Sequence, residues 1–218
     1  MPLPNLVIFD CDGVLVDTEA RVNDLIAGIL IRAGLPMTGT ACRERFQGKS
    51  TEDLCREVSV SLGREIDHDI MQQEINCCLA SGIEAVPGVT DLVERLIRLD
   101  IPVCVASSGT IGKMHITLGQ TRLLPLLGDV LFSATSVARG KPAPDLFLHA
   151  AERMGHPPVN CVVIEDSRTG VLAGVAAGMR VLGYCGDPFT DPARLRDAGA
   201  EVFSDMRDAP SMLGLTAP

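Results

Sequence analysis

Acidic side chains follow two apolar segments of this 218-residue chain, and their spacing is suited to phosphoryl-group chemistry. Asp10 and Asp12 come directly after the first apolar run, and Glu165 and Asp166 follow a later one. Carboxylates a few ångströms apart repel each other unless a cation lies among them. Mg²⁺ is commonly bound by one or two carboxylates together with a substrate phosphate. The sequence therefore predicts a magnesium-dependent site for a small phosphorylated metabolite.

Other residues at the ends of apolar segments supply the remaining groups that this chemistry needs. Lys141 offers a point charge for a phosphate group, and Ser107 and Ser108, with nearby backbone N–H groups, can hold its oxygens. Asp10 can act as a nucleophile, which splits hydrolysis of a phosphate ester into two easier displacements. Asp12 can protonate the leaving alcohol and later deprotonate the attacking water. An aspartyl-phosphate on Asp10 is the predicted intermediate.

Alternating apolar and helical segments are expected to position these side chains. The predicted strands are residues 5–10, 103–106, 130–132, 161–164, 181–184 and 202–203. Strands separated by helices are typical of a mostly parallel sheet with helices on both faces. In such a sheet, functional groups gather at the carboxyl ends of the strands.

Residues 18–81 break this alternation, because they contain several helical patterns and no convincing strand. Glycine follows three of these patterns, at Gly34, Gly63 and Gly82, as is usual at the end of a helix. We therefore predict an α/β protein with a Rossmann-like core at 1–17 and 83–218. An all-helical cap, inserted at 18–82, is expected to select the substrate.

Four segments resemble the motifs of the haloacid dehalogenase (HAD) superfamily. Residues 10–17 read DCDGVLVD and resemble its first motif, DxDGxLxD. Ser107 matches the second motif, Lys141 the third, and the sequence Glu-Asp-Ser at 165–167 the fourth. The motifs occur in the expected order, each after a predicted strand, so the resemblance extends over nearly the whole chain.

The resemblance implies roles for individual residues. Asp10 and Asp166 are expected to bind the metal ion through their carboxylates and Asp12 through its backbone carbonyl, with Glu165 acting through water. An acid at position 12 is not kept in HAD dehalogenases or phosphonoacetaldehyde hydrolases, so phosphoryl transfer from an oxygen leaving group is favoured. The helical insertion resembles the cap of the branch that contains phosphoglycolate phosphatases, β-phosphoglucomutases and sugar phosphatases.

Residues 47–51, QGKST, look like the end of a nucleotide-binding P-loop, but two features argue against that function. The first glycine of the P-loop motif is replaced by Arg43, and no predicted strand precedes the segment. We interpret it as a cap loop in which Gly48, Lys49 and Arg45 are candidate specificity residues. Lys49, with Arg45, could meet a second anionic group of the substrate, and a solvent-exposed loop is an equally open interpretation.

Two alternative functions stay open at this point. The first is a phosphomutase of the β-phosphoglucomutase type, which would place basic residues on both sides of the cap-loop glycine, where this chain has Gln47 and Thr51. The second is a catalytically silent sensor of sugar phosphates, although such a protein need not keep the nucleophile, acid, lysine and metal carboxylates together. A phosphatase acting on a sugar phosphate or a phosphorylated sugar acid is therefore the favoured prediction.

Composition excludes several other classes of protein. The formal net charge of −9 and the lack of a basic stripe argue against binding to nucleic acid. The apolar runs are too short for a membrane-spanning helix, and no secretory signal is recognisable, so a cytoplasmic enzyme is expected. The eight cysteines form no CxxC pair, which predicts reduced thiols. The sequence does not indicate an oligomeric state.

Overall fold

The computed structural model describes residues 3–46, 51–128 and 130–215, and the chain divides into two compact units. The first unit combines Met1–Asp17 with Glu84–Pro218, and the second comprises Thr18–Ile83. The second unit is thus an insertion in the sequence of the first.

A six-stranded parallel sheet forms the centre of the first unit. Its strands, in chain order, are β1 (Leu6–Phe9), β4 (Val103–Ser107), β5 (Leu131–Ser133), β6 (Cys161–Glu165), β7 (Arg180–Tyr184) and β8 (Glu201–Phe203). Across the sheet they lie in the order β5-β4-β1-β6-β7-β8. Every residue of the central strands β1, β4 and β6 is buried. Continuous apolar runs are what a sheet covered on both faces requires, so the predicted α/β class is confirmed.

Helices connect these strands and cover the sheet. They are α5 (Val89–Arg98), α6 (Ile111–Leu118), α7 (Leu123–Leu127), α8 (Asp145–Met154), α9 (Arg168–Ala176), α10 (Pro192–Asp197) and α11 (Ala209–Met212). The short helices α7, α10 and α11 were not predicted, because four to six residues are too few to display a helical repeat. None of the helices in the described ranges is long and apolar enough to cross a membrane.

Two further strands, β2 (Val16–Asp17) and β3 (Glu84–Ala85), form a small antiparallel pair in the first unit. Asp17 lies opposite Glu84, so the two ends of the inserted segment are neighbours. The sequence did not predict this pair, because two residues are too short to show strand alternation.

The second unit contains four helices: α1 (Glu19–Ala33), α2 (Gly39–Phe46), α3 (Thr51–Leu62) and α4 (His68–Leu79). Helix α1 ends at Gly34, whose φ of 96° is in the left-handed region that favours glycine. Asp67 begins α4 by accepting hydrogen bonds from the backbone N–H groups of Asp69 and Ile70. Buried apolar side chains, including Leu30, Leu54, Val58 and Met71, form the interior of this unit.

Helix α9 packs unusually close to the sheet at Gly174. A Cβ atom on this residue would lie 2.7 Å from Cγ2 of Val181 and 3.5 Å from Cγ2 of Val163. Valine side chains are stiff at χ1, so Val181 could not move aside without strain, whereas the distance to Val163 is an ordinary van der Waals contact. The absence of a side chain at position 174 therefore allows α9 to approach β6 and β7.

We predict that Gly174→Ala lowers the free energy of unfolding by about 1–3 kcal/mol, because it overpacks this contact. Gly112→Ala in α6 is a matched control, since the nearest atom to its added Cβ is Oγ1 of Thr110 at 4.0 Å. The control should be neutral or stabilise by up to about 1 kcal/mol, as alanine favours a helix over glycine. Urea unfolding measured by circular dichroism checks both values, and an equal effect of the two substitutions would contradict the packing argument.

Candidate active site

The carboxyl ends of β1 and β6 bring two predicted functional acids side by side. Phe9 is paired with Ile164, and the backbone N–H of Asp10 donates a 2.9 Å hydrogen bond to the carbonyl of Ile164. Asp10 is 8% exposed and Glu165, the last residue of β6, is 1% exposed. The parallel register of two neighbouring strands thus buries two carboxyl groups at one edge of the sheet.

Lys141 lies between these two acids. Its Nζ donates hydrogen bonds to the carboxylate of Asp10, to Oε1 of Glu165 at 2.7 Å and to the carbonyl of Ala106 at 3.0 Å. The same nitrogen is 4.9 Å from the centroid of the Phe147 ring. Because the Lys141 side chain is itself 4% exposed, the group is a buried cation that bridges two buried carboxylates.

Burial and these contacts shift the pKa values of Asp10 and Lys141. Burial raises the pKa of Asp10, the Lys141 ammonium lowers it, and Glu165 and Asp12 raise it further, with a net pKa of about 7. Burial lowers the pKa of Lys141, but the carboxylates of Asp10 and Glu165 outweigh this effect and raise the pKa above its ordinary value. Lys141 therefore remains charged at neutral pH.

Glu165 is held in place by contacts on both of its oxygens. Oε1 accepts from Lys141, while Oε2 accepts from the backbone N–H of Ser167 at 2.8 Å and from its hydroxyl at 2.9 Å. A Cβ on Gly170 would lie 1.7 Å from Oε1 of Glu165, so glycine at this position leaves space for the carboxylate. Glu165 thereby fixes the position of Lys141, a contact that the sequence did not predict.

Asp166 lies against the loop that follows β1. A Cβ on Gly13 would be 2.1 Å from Oδ2 of Asp166, and the φ of Gly13 is +81°, so a side chain is excluded there on two grounds. The carboxylate of Asp166 is therefore next to the chain segment that carries Asp10 and Asp12.

The groups at this edge fit a hard cation, because they are carboxylate and carbonyl oxygens. Within the described part of the chain, no three His, Cys, Asp or Glu side chains already form a metal-binding group. The carboxylates of Asp10 and Asp166 and the carbonyl of Asp12 are the predicted ligands of such an ion, and this assignment stays a prediction. Mg²⁺ in proteins is usually bound by only one or two carboxylates together with substrate phosphates, and it keeps several water ligands.

A second lysine contacts the site, and sequence reasoning missed it. Nζ of Lys113, in the first turn of α6, donates a 2.8 Å hydrogen bond to Oδ2 of Asp12. Burial lowers the pKa of Lys113, but the contact with Asp12 outweighs burial and raises it above its ordinary value, so Lys113 carries a positive charge. The available signal was the position of Lys113 in a helix that begins just after the loop carrying Ser107.

Two of the predicted phosphate-binding residues, Ser107 and Ser108, lie where β4 ends and the loop to α6 begins. Ser107 is 2% exposed, and its Oγ accepts a 3.0 Å hydrogen bond from the backbone N–H of Gly109. The buried hydroxyl of Ser133 donates to the carbonyl of Gly109 at 2.7 Å, which ties this loop to the end of β5. Ser108 is exposed. This loop is therefore held by its own hydrogen bonds, next to the carboxyl end of β1.

The cap candidates are less fully described. Arg45 donates through Nε to Oε1 of Glu57 at 2.7 Å and through one terminal nitrogen to Oγ of Ser61 at 3.2 Å. Its guanidinium carbon is also 5.4 Å from the centroid of the Phe46 ring. Arg45 is thus engaged within the helical unit. Gly48 and Lys49 lie outside the described residues, and the specificity role of all three stays a prediction.

Comparison with known proteins finds a family model and a relative that each match most of this chain. Residues 4–178 match the family model for haloacid dehalogenase-like hydrolases. The chain is 32% identical over 191 residues to 6-phosphogluconate phosphatase from Escherichia coli, and the alignment covers 85% of each protein.

Solved structures from two other bacteria share the fold. A haloacid dehalogenase-like protein of unknown function from Agrobacterium tumefaciens has a TM-score of 0.84 and 34% identity, over 97% of this chain and 98% of that one. A HAD family hydrolase from Deinococcus radiodurans, with bound phosphate and sodium, has a TM-score of 0.86 and 30% identity over the full length of both chains.

We predict that Asp10→Asn changes the pH dependence of stability in metal-free protein. The folded-state pKa of Asp10, about 7, is raised above its unfolded value near 3.8, so this group destabilises the fold increasingly as pH rises through that interval. Asparagine does not titrate. The variant should therefore gain on the order of 2 kcal/mol relative to the wild type between pH 5 and pH 7.

Urea unfolding in EDTA at the two pH values measures this difference. Asp197→Asn, at an exposed position in α10, is the matched control and should show no such change. A constant difference between Asp10→Asn and the wild type across pH would contradict the raised pKa.

Proposed function

Since this chain belongs to the haloacid dehalogenase-like hydrolases, we propose that it hydrolyses small phosphorylated sugars or sugar acids through an aspartyl-phosphate on Asp10. It is a phosphoric monoester hydrolase, and its substrate class, mechanism, cofactor and the role of its helical unit are proposals. The observation that supports these proposals is the buried group formed by Asp10, Lys141 and Glu165. Asp12, the proposed acid, follows the proposed nucleophile Asp10 by two residues. The E. coli relative, a 6-phosphogluconate phosphatase, supports a phosphorylated sugar acid as substrate.

In the first step, a carboxylate oxygen of Asp10 attacks phosphorus, and the bond from phosphorus to the leaving oxygen breaks. The electron pair of that bond passes to the leaving oxygen, which takes a proton from the carboxyl group of Asp12. Lys141 and the loop at Ser107 would hold the phosphoryl oxygens and offset their charge. Lys141 already contacts Asp10, so the cation lies where negative charge develops.

In the second step, water attacks the same phosphorus atom and the bond between phosphorus and Asp10 breaks. Asp12, now a carboxylate, takes the proton of the water, and inorganic phosphate leaves while Asp10 returns to its carboxylate form. One acid thus serves both steps, as acid in the first and as base in the second. The uncatalysed reaction is slow enough that accelerations up to about 10²¹-fold are known, so precise placement of these groups is essential.

Mg²⁺ is the proposed cofactor, held by the carboxylates of Asp10 and Asp166 and by the carbonyl of Asp12. When bound, this ion would supply positive charge that draws the phosphate towards Asp10 and reduces the repulsion among the acids. Glu165, which Lys141 and Ser167 hold in place, would act on the ion through water. The phosphate and sodium of the Deinococcus structure support an anion and a cation site in this fold.

The helical unit Thr18–Ile83 is proposed to select the substrate. Closure of a cap sequesters a reacting group from water in many enzymes, and its opening releases the product. The candidate residues for this role remain Arg45, Gly48 and Lys49.

A panel of phosphorylated sugars and sugar acids, including 6-phosphogluconate, should release inorganic phosphate in the presence of Mg²⁺, and EDTA should abolish the release. Asp10→Asn should lower kcat by on the order of 10³-fold or more, because the nucleophile is lost. Asp197→Asn, at an exposed position in α10, should retain full activity. Normal turnover by Asp10→Asn would overturn the proposed mechanism.

A phosphomutase is the second candidate, and the identity of the product separates it from the phosphatase. Incubation with β-glucose 1-phosphate and Mg²⁺ should yield inorganic phosphate and glucose. Formation of glucose 6-phosphate, measured with a coupled dehydrogenase, would favour the mutase instead. A silent sensor would form neither product.

A further inference from the structure

The contact between Lys113 and Asp12 joins residues 101 positions apart in the sequence. The distance from Nζ to Oδ2 is 2.8 Å, and the two side chains are 32% and 24% exposed. A pair at this depth is less screened by water and salt than an ion pair at the open surface. The contact is therefore able to fix the orientation of the Asp12 carboxylate.

The backbone of Lys113 is anchored by two threonines of the same helix. Thr110 is the N-cap of α6 and its hydroxyl accepts a 3.2 Å hydrogen bond from the N–H of Lys113, while the Thr117 hydroxyl donates to the carbonyl of Lys113 at 3.1 Å. A Cβ on Gly109 would lie 3.3 Å from Cδ of Lys113 and 3.3 Å from Oγ of Ser107. Glycine at position 109 thus leaves a path for the lysine stem beside the phosphate-binding loop.

The position of Lys113 is unfavourable for a lysine whose side chain is simply a solvated surface cation. A positive charge in the first turn of a helix is opposed by the helix dipole, by about 0.3–1 kcal/mol. The chain also has only three lysines among its 19 basic residues. Of these, Lys113 and Lys141 each donate to a carboxylate of the first motif. This placement indicates a specific role for the charge.

We propose that Lys113 is a positioning residue that orients Asp12 for proton transfer to the leaving oxygen and from the attacking water. This inference rests on the proposed function. Because the ammonium donates to Oδ2, the proton in transit is assigned to Oδ1 of Asp12. As the leaving oxygen takes that proton in the first step, Lys113 keeps its own proton and stabilises the carboxylate that forms. In the second step, Oδ1 accepts the proton of water.

A series of aryl phosphates tests this role, because the members bind alike and differ in the basicity of the leaving group. Phenol is a weak acid with a pKa near 10, like tyrosine, so its departure depends on a proton donor. Nitrophenolate is much less basic and leaves without that help. Lys113→Met should therefore lower kcat/KM for phenyl phosphate by about tenfold or more, and for p-nitrophenyl phosphate by less than about threefold.

Three further variants complete the design. Lys113→Arg keeps the charge and should recover most of the lost kcat/KM for phenyl phosphate. Arg98→Met removes a cation from an exposed position at the end of α5 and should affect both esters equally little. Asp12→Asn should show the same discrimination between the esters as Lys113→Met, but more strongly. Thermal unfolding of each variant checks that it is folded.

An equal loss for both esters in folded Lys113→Met would overturn the proposal, because it would indicate a role in binding or structure alone. An unchanged kcat/KM for phenyl phosphate would overturn it as well. If Asp12→Asn did not discriminate between the esters, the acid role of Asp12 in the proposed mechanism would fail, and that of Lys113 with it. If Asp12→Asn discriminated and Lys113→Met did not, only the inference about Lys113 would fail.

Discussion

The rest of the site depends on the contacts that the ammonium group of Lys141 makes with the carboxylates of Asp10 and Glu165. Each acid stands at the end of one of two adjacent parallel strands, so the register of the sheet alone would bury two negative charges together. A buried charge is tolerated only when it is paired and hydrogen-bonded. The lysine meets that condition for both acids, and the remaining oxygen of Glu165 is satisfied by Ser167.

Burial of the Asp10 carboxyl group is unfavourable for the stability of the fold. Burial raises the pKa of Asp10 even with a cation in contact, so the folded state holds a carboxyl group that would ionise more readily in water. Close approaches at Gly13 and Gly170 place Asp166 and Glu165 where even a methyl group would collide with them. Such features are common at functional sites, where local strain or unfavourable burial is offset by the surrounding core.

The sequence predicted the sheet and the acids at its edge, because the apolar runs of β1 and β6 end abruptly in carboxylic acids and that of β4 ends in serines. It did not reveal the partners of those residues. Lys113 is charged and lies in a helix, so in sequence it resembles a surface residue, and its contact with Asp12 arises only when α6 folds beside the end of β1. The link between Glu165 and Lys141 is equally a product of tertiary structure. The pair of strands β2 and β3 escaped prediction because each has only two residues.

The pairing of Asp17 with Glu84 has a consequence for how such proteins diversify. The chain leaves the sheet-containing unit and returns to it through two strands that already lie side by side. An insert of almost any length can therefore be closed at little entropic cost, since the cost of closing a loop grows slowly with its length. Evolution could therefore exchange the helical segment for another while the parallel strands that lead to Asp10 keep their pairing, and if that segment selects the substrate as proposed, a different metabolite would be recruited.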